Sequence, residues 1–358
     1  MAELKKTILI NGSFFCRRLN GIERYAYEIT VRLDKLCKPD EIAIILPKNT
    51  KNIPSFSNIT IIKHKKNIKS HLLWQMISLQ WFLLTHRRYT VLEFGNTILP
   101  LAPGIVFLHD IYCEFFPEDF TSARDKLIRF FSRWQYRLIA KKAKKIITVS
   151  EYSKNEICKT YKIPSAKIDV IYSSADHIRS INADMSIFND FPVLAEKPFY
   201  FSLGSLSKRK NIKWILEHAE KHPSDNYAIS GTSLSTVKVD ELNKSIPDNI
   251  ILLGYIDDSK VKALMTECKA FLLPSYYEGF GLTPLEALTC GANIIIAKAA
   301  SLPEIYGNTA HYIDPFNTDI NLDKLLKETV ESPDYIFSKF SYDKSAEQVY
   351  KIIKEYSN

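Results

Sequence analysis

The sequence predicts an α/β fold made of two doubly wound parallel sheets that face each other across a cleft. Three observations lead there. Short apolar runs alternate with helix-period segments along nearly all of the 358 residues, the pattern of parallel strands joined by crossover helices. The alternation pauses once, over residues 177–197, and restarts at Phe199. In both halves, the residues suited to ligand chemistry follow strands, where ligands bind in such sheets. The expected domains are 1–185 and 195–341, with a last segment, 342–358, whose helical part runs from Tyr342 to Tyr356.

Residues 7–11 (Thr-Ile-Leu-Ile-Asn) read as a first, buried strand. After a loop, Ile22, Tyr25, Ala26, Ile29 and Leu33 are spaced as one helix face. Asn20-Gly21 opens that helix, where backbone N–H groups can meet a phosphate; a glycine there is otherwise only a turn. The loop is not G-x-G-x-x-G, so the dinucleotide fingerprint is absent. Ile42–Pro47 and Ile59–Lys63 are further strands. Leu72–Leu84 has helix length and carries two tryptophans between the basic runs Lys63–Lys69 and His86-Arg87-Arg88. It is open to two readings, a core helix on the sheet or an interfacial helix. Tyr89–Phe94 and Gly104–Leu108 are strands, and the second runs into His109-Asp110. A histidine at a strand's carboxyl end is either a ligand group or a capping or core residue.

Residues 121–145 form a long helix with nine cations: Arg124, Lys126, Arg129, Arg133, Arg137, Lys141, Lys142, Lys144 and Lys145. Leu127, Phe130, Phe131, Trp134, Leu138 and Ile139 supply its apolar side. Ile146–Ser150 is a strand, and Ser150-Glu151 starts the next helix. Ile168–Tyr172 closes this half. In the second half, the strand Phe199–Leu203 leads into Gly204 and then Lys208-Arg209-Lys210-Asn211, ahead of a helix from Ile212. Three cations at a βα loop suit a diphosphate, with arginine as a bidentate fork and lysine as a point charge. Tyr227–Ser230 and Ile250–Leu253 are strands, the latter followed by Gly254-Tyr255. Ala270–Leu273 is a buried strand followed by Pro274–Ala287, a loop and helix start with Gly279 and Gly281 between the carboxylates Glu278 and Glu286. Such a start presents unpaired N–H groups. It is either a site for an anionic, hydroxyl-rich ligand or an ordinary turn with two solvated glutamates. Asn293–Ala297 is the last strand read from the sequence.

Composition narrows the function classes. The six cysteines, at 16, 37, 113, 158, 268 and 290, contain no C-x-x-C pair, which disfavours a zinc site or a disulfide framework and suits a reducing compartment. The N-terminal residues run directly into a strand without a signal-type apolar region, and no run approaches a bilayer span. A cytoplasmic protein is expected. Net charge is +8, but residues 1–180 carry +14 and residues 181–358 carry −6. The basic half is suited to an anionic partner: a lipid-linked diphosphate, a membrane surface or nucleic acid. Nothing but charge supports nucleic acid, since no binding motif accompanies it.

Several of these segments carry a resemblance. Pro274-Ser275-x-x-Glu278-Gly279-Phe280-Gly281-Leu282-x-x-x-Glu286-Ala287 resembles the E-x7-E signature of retaining glycosyltransferase family 4. Arg209-Lys210-Asn211, Thr148-Val149-Ser150-Glu151-Tyr152-Ser153, His109-Asp110 and Asn20–Tyr25 resemble further patterns of that family, in the expected order. The resemblance implies the GT-B fold of two Rossmann-like domains, with the last helix crossing back to the first. It also implies a donor site for a nucleoside-diphosphate sugar. There Glu286 holds the ribose and Glu278 faces the donor sugar. Arg209 and Lys210 neutralise the diphosphate. Phe280, Gly281 and Leu282 offer backbone N–H groups, and Gly204 belongs to the phosphate loop. Tyr255 lies by the base, Gly21 approaches the β-phosphate, and His109 contacts the sugar near its 6-position. One departure is Ser205, which follows Gly204 where many relatives have an arginine.

The expected activity is transfer of a hexose-type sugar to a saccharide acceptor, lipid-diphosphate-linked, in O-antigen or lipopolysaccharide-type surface polysaccharide synthesis. No cofactor or metal is expected, because the chain has no D-x-D triplet for a metal-bound diphosphate. Peripheral contact with an anionic membrane through the basic half is a further expectation. A sugar-nucleotide epimerase or synthase on the same fold, or a non-catalytic sugar-nucleotide or membrane-binding protein, are the alternatives.

Overall fold

The computed structural model describes residues 7–19, 21–65, 70–204, 207–231 and 246–357. Asn20, residues 66–69 of the basic run and Ser205 therefore lie outside the described residues. The chain divides into two compact units. One holds Met1–Phe115, Ser122–Ser173 and Ser341–Asn358; the other holds Phe116–Thr121 and Ser174–Phe340.

The first unit is built on seven parallel strands: β1 (Thr7–Asn11), β2 (Ile42–Leu46), β3 (Thr60–Lys63), β4 (Tyr89–Glu93), β5 (Ile105–Phe107), β6 (Lys145–Thr148) and β7 (Ile168–Val170). Their order is β3-β2-β1-β4-β5-β6-β7. Isoleucine-rich runs such as Ile42–Leu46 are buried along their whole length, as strands covered on both faces must be. Chain order reverses between β1 and β4, whose ends Asn11 and Glu93 lie side by side. That is the switch point at which doubly wound sheets bind ligands.

One face of this sheet is covered by the helix Gly21–Leu36 and the last helix, Tyr342–Tyr356. Tyr25, Ile29 and Leu33 pack in one core with Tyr342, Ala346, Val349 and Ile353. Arg32 pairs with Asp343 at 2.6 Å across the two helices, and Lys354 pairs with Glu41 at 2.7 Å, tying the last helix to the start of β2. The other face is covered by Trp74, Leu79 and Leu83. These belong to a helix in three parts, His71–Leu73, a π-helical turn Trp74–Leu79, and Gln80–Thr85. The core reading of this segment holds for these three residues, while Ile77 and Trp81 on its other side are exposed.

The long basic helix spans Ala123–Lys142, started by a Ser122–Asp125 capping box. Lys144 and Lys145 fall outside it, Lys145 opening β6. Only part of its apolar side packs inward. Gln135, Tyr136, Ile139 and Ala140 are buried, while Leu127, Phe130 and Trp134 face outward.

The second unit has six parallel strands: β8 (Phe199–Leu203), β9 (Asn226–Ser230), β10 (Ile250–Gly254), β11 (Ala270–Leu273), β12 (Ile294–Ala297) and β13 (His311–Ile313). Their order is β10-β9-β8-β11-β12-β13, so the reversal falls between β8 and β11. The three-residue β13 was not expected, being too short to show a period. Residues 176–196 carry three short helices, Asp176–Arg179, Ile187–Asp190 and Val193–Glu196, where the sequence shows only lost periodicity. Each is about one turn, too short for an i, i+3, i+4 pattern to repeat.

Candidate active site

The two strands that border the reversal in the second unit, β8 and β11, deliver most of the expected site residues. β8 runs into Gly204, whose φ of +155° is a glycine conformation. Gly231 is held still more tightly, since a β-carbon there would lie 1.9 Å from the Gly204 carbonyl oxygen. Lys208–Lys210 then form a tight turn closed by Asn211, whose side-chain amide donates to the Pro274 carbonyl at 3.0 Å and the Pro315 carbonyl at 2.8 Å. Tyr276 N–H donates back to the Arg209 carbonyl at 2.8 Å. The cation loop is thus pinned to the end of β11 rather than hanging in solvent.

That pinning brings Lys210 Nζ to 2.6 Å from Glu278 Oε1, and Arg209 to 3.6 Å from Glu278 Oε2. Glu278 is only 6% exposed. Burial opposes its charge, but Lys210 and Arg209 outweigh that and hold its carboxyl below the usual range. The Glu278 carbonyl accepts from Ser301 Oγ at 2.9 Å. Two cations and one carboxylate therefore meet in one largely buried cluster.

Three residues on, Gly281 starts the helix Leu282–Thr289 with φ +85°, and a β-carbon there would lie 2.5 Å from Leu302 Cδ2. Tyr306 donates its hydroxyl to the Gly281 carbonyl. Phe280 is buried edge-on against Phe340, 5.4 Å between ring centroids, and Leu282 is half-buried. The loop is held on both sides, so the helix start is rigid. Glu286, one turn into this helix, does not share Glu278's surroundings. Its Oε1 lies 3.1 Å from His177 Nε2. Tyr255 stands exposed after β10.

Some residues of this site carry no local signal in the sequence. His177 lies in the aperiodic stretch, 109 positions before Glu286. Asp119 sits 89 positions before its partner, accepting the Lys208 N–H at 2.6 Å. Burial raises its carboxyl above the usual range despite that bond. Beside it, Phe116 lies edge-on to Tyr277 at 5.7 Å. The excursion Phe116–Thr121 is thus part of the second unit and buttresses its cation loop.

In the first unit, Gly21 begins its helix exposed, and a β-carbon there would meet no atom of the chain. His109 is buried, with Nε2 2.8 Å from the Phe94 carbonyl, and burial lowers its pKa. A neutral ring bonded this way donates from Nε2 and keeps Nδ1 as an acceptor. The switch point of this sheet holds an unforeseen acid. Glu93 Oε2 accepts from Asn11 Nδ2 at 2.8 Å and Gln75 Nε2 at 3.0 Å. The Asn11 amide is oriented by the Ser13 N–H, which donates to Oδ1 at 3.2 Å. Burial pushes the Glu93 carboxyl up to about 8. A glutamate closing the apolar run Val91-Leu92 was a visible signal.

Comparison with known proteins follows the same division. Residues 19–179 match the family model described as Glycosyltransferase Family 4, and residues 186–349 that of Glycosyl transferases group 1. The chain is 26% identical over 328 residues to the O-antigen chain mannosyltransferase B of Escherichia coli, covering 84% of each. It is 24% identical over 355 residues to the O-antigen chain mannosyltransferase RfbU of Salmonella typhimurium, covering 93% of this chain and 94% of that one. Among solved structures, the sucrose-phosphate synthase of Thermosynechococcus elongatus matches with a TM-score of 0.72 at 13% identity, over 98% of both chains. Anabaena HepE in complex with UDP-glucose matches with a TM-score of 0.67 at 16% identity, over 98% and 99%.

Proposed function

Because this chain belongs to the GT-B glycosyltransferases, a family 4 module followed by a group 1 module, we propose that it is a retaining hexosyltransferase acting from a nucleoside-diphosphate sugar. The acceptor in this reading is a saccharide, lipid-linked, in surface polysaccharide synthesis. Two full-length relatives named as O-antigen chain mannosyltransferases support the pathway and make mannose the first sugar to test. A structural neighbour solved with UDP-glucose supports the donor class.

The observation that carries the reading is the Lys210–Glu278–Arg209 cluster at the β8/β11 switch point. A diphosphate arriving there meets cations already held in place, at the start of the helix Leu282–Thr289. Fixed charge of this kind needs no reorganisation as the leaving phosphate gains charge. In the proposed reaction, the bond from the sugar's anomeric carbon to the phosphate oxygen breaks. The bond to the acceptor oxygen forms on the same face, and the acceptor's proton passes to the departing phosphate. Glu278 lies beside the sugar and stabilises its positive charge. Glu286 takes the ribose hydroxyls, with His177 fixing its carboxylate. Arg209 and Lys210 neutralise the diphosphate, and Phe280, Gly281 and Leu282 line it with backbone. From the first unit, Gly21 and His109 are assigned to the donor as the family pattern implies.

Thermal shift with GDP-, UDP- and dTDP-sugars tests the donor class. A matched donor at a hundred times its Kd adds about 2.7 kcal/mol of stability. NMR of the product then reads the anomeric configuration. The expected result is one stabilising donor, retained configuration, and no donor turnover without acceptor. Inversion overturns the mechanism, and turnover of donor alone makes the chain an epimerase, which needs no acceptor.

A second expected result concerns Asp119. Replacement with alanine frees the Lys208 N–H and loosens the cation loop. The donor KM is expected to rise roughly tenfold, the value of about one charged hydrogen bond. Asp119→Asn keeps an acceptor oxygen and is expected to retain most of the affinity. Steady-state kinetics with the matched donor measures both, and an unchanged KM in Asp119→Ala removes Asp119 from the site.

A further inference from the structure

Among the described residues no helix is long and apolar enough to cross a membrane. The first unit nevertheless presents an apolar face to the outside. On the helix Ala123–Lys142, the positions i, i+3 and i+7 from Leu127 are Phe130 and Trp134. Leu127 is 68% exposed, Phe130 70% and Trp134 39%. These are the residues that binary patterning would bury, and they point away from the core. Single exposed apolar side chains need no explanation, but a continuous stripe does.

The stripe does not stand alone. Gln135 of this helix accepts from the Ile98 N–H at 2.8 Å, and its Nε2 lies 3.7 Å from Met76 Sδ in the π-helical turn. Leu101 N–H donates to Gln80 Oε1 at 3.0 Å, and Lys142 Nζ donates to the Pro100 carbonyl at 3.0 Å. The loop before β5 thus ties the two helices together on one side of the sheet. Ile77 (62% exposed), Trp81 (69%) and Leu101 (63%) add to the apolar surface. Cations surround it. Arg129 and Arg133 turn inward to the Cys113 carbonyl and to Glu114. Arg124, Lys126, Arg137 and Lys141 stay exposed on the helix, as do His86, Arg87 and Arg88 at the end of the other. The only acid on the helix Ala123–Lys142 is Asp125, which is engaged by Ser122.

We infer that this two-helix face docks the enzyme on an anionic lipid surface, with Phe130, Trp134, Ile77 and Trp81 entering the headgroup–acyl boundary and the lysines and arginines meeting lipid phosphates. Tryptophan with leucine and phenylalanine, framed by cations, is the composition of an interfacial helix. A nucleic acid would use the charge and leave the apolar stripe wet. A second copy would bring cations against cations. The inference does not depend on the catalytic reading, because docking needs no turnover.

The test uses the full chain and vesicles of phosphatidylcholine with or without phosphatidylglycerol. The expected result is co-sedimentation with the anionic vesicles, weakened by salt, and a blue shift of tryptophan emission on binding. Lys126→Glu with Lys141→Glu is expected to lower partitioning by roughly tenfold or more, at about 1 kcal/mol per basic residue near the surface. Phe130→Ser with Trp134→Ser is expected to abolish the part that resists salt. All four positions are at the surface, so circular dichroism and donor-induced thermal shift are expected to stay as in the parent. No binding to anionic vesicles overturns the inference, as does binding that neither variant pair weakens. Self-association lost in Phe130→Ser, without vesicle binding, assigns the face to a second copy instead.

Discussion

Replacing Lys210 with alanine is expected to lower kcat/KM by roughly a hundred- to a thousandfold, the range seen when one fixed electrostatic group is removed from a reacting centre. The position combines two roles. In the proposed reaction its ammonium meets charge that grows on the leaving phosphate. In the unliganded protein the same ammonium, 2.6 Å away, is the nearest cation to the buried Glu278. Alanine leaves Arg209, at 3.6 Å, as the remaining partner. A buried carboxylate with a weakened partner costs stability as well as activity. The melting temperature of the variant is therefore expected to fall too, and to recover in part at acid pH, where Glu278 takes up a proton. Steady-state kinetics and a melt at two pH values separate the effects. Activity within a few-fold of the parent removes Lys210 from the chemistry.

Glu93→Gln is expected to act in the opposite direction, stabilising the protein. The Glu93 carboxyl titrates near 8 in the folded state against 4.5 for the ordinary group. Its folded pKa is raised, so its contribution to stability is complete below about 4.5 and is lost as pH rises through about 8. Glutamine keeps the shape and an oxygen for Asn11 and Gln75 but never ionises. The variant and parent are expected to melt alike near pH 4.5. The gap then widens with pH and levels off above 8. At about 1.4 kcal/mol per pK unit its ceiling is about 5 kcal/mol. Only the difference between the two melting curves is read, so other titrating groups cancel. A gap that stays flat from pH 5 to 9 means that Glu93 ionises at its ordinary pKa.

The stretch Pro274–Ala287 illustrates what was legible. A buried apolar run, a glycine loop and a helix start are local events, each written within a few residues. The spacing of Glu278 and Glu286 sets both carboxylates at one glycine loop and helix start. The fold instead gives them different partners, Lys210 and Arg209 for one and His177 for the other. Those partners come from 68, 69 and 109 positions away, beyond the reach of any local pattern. Asp119 is the extreme case: it is an acid in a short loop whose value arises only where the chain sets it against Lys208.

The sequence by itself determined the alternation of strands and helices, its pause over residues 177–197 and the candidate donor residues, because hydrophobic period, glycine and charge act over one or two turns of chain. Tertiary structure alone decided which charges neutralise one another, which acid burial pushes above the usual carboxylate range and which face of the helix Ala123–Lys142 meets solvent. Each of these depends on burial and on partners brought from distant parts of the chain. Desolvation and Coulomb energies are set by that three-dimensional environment, and so is the face of an amphipathic helix that finds a core.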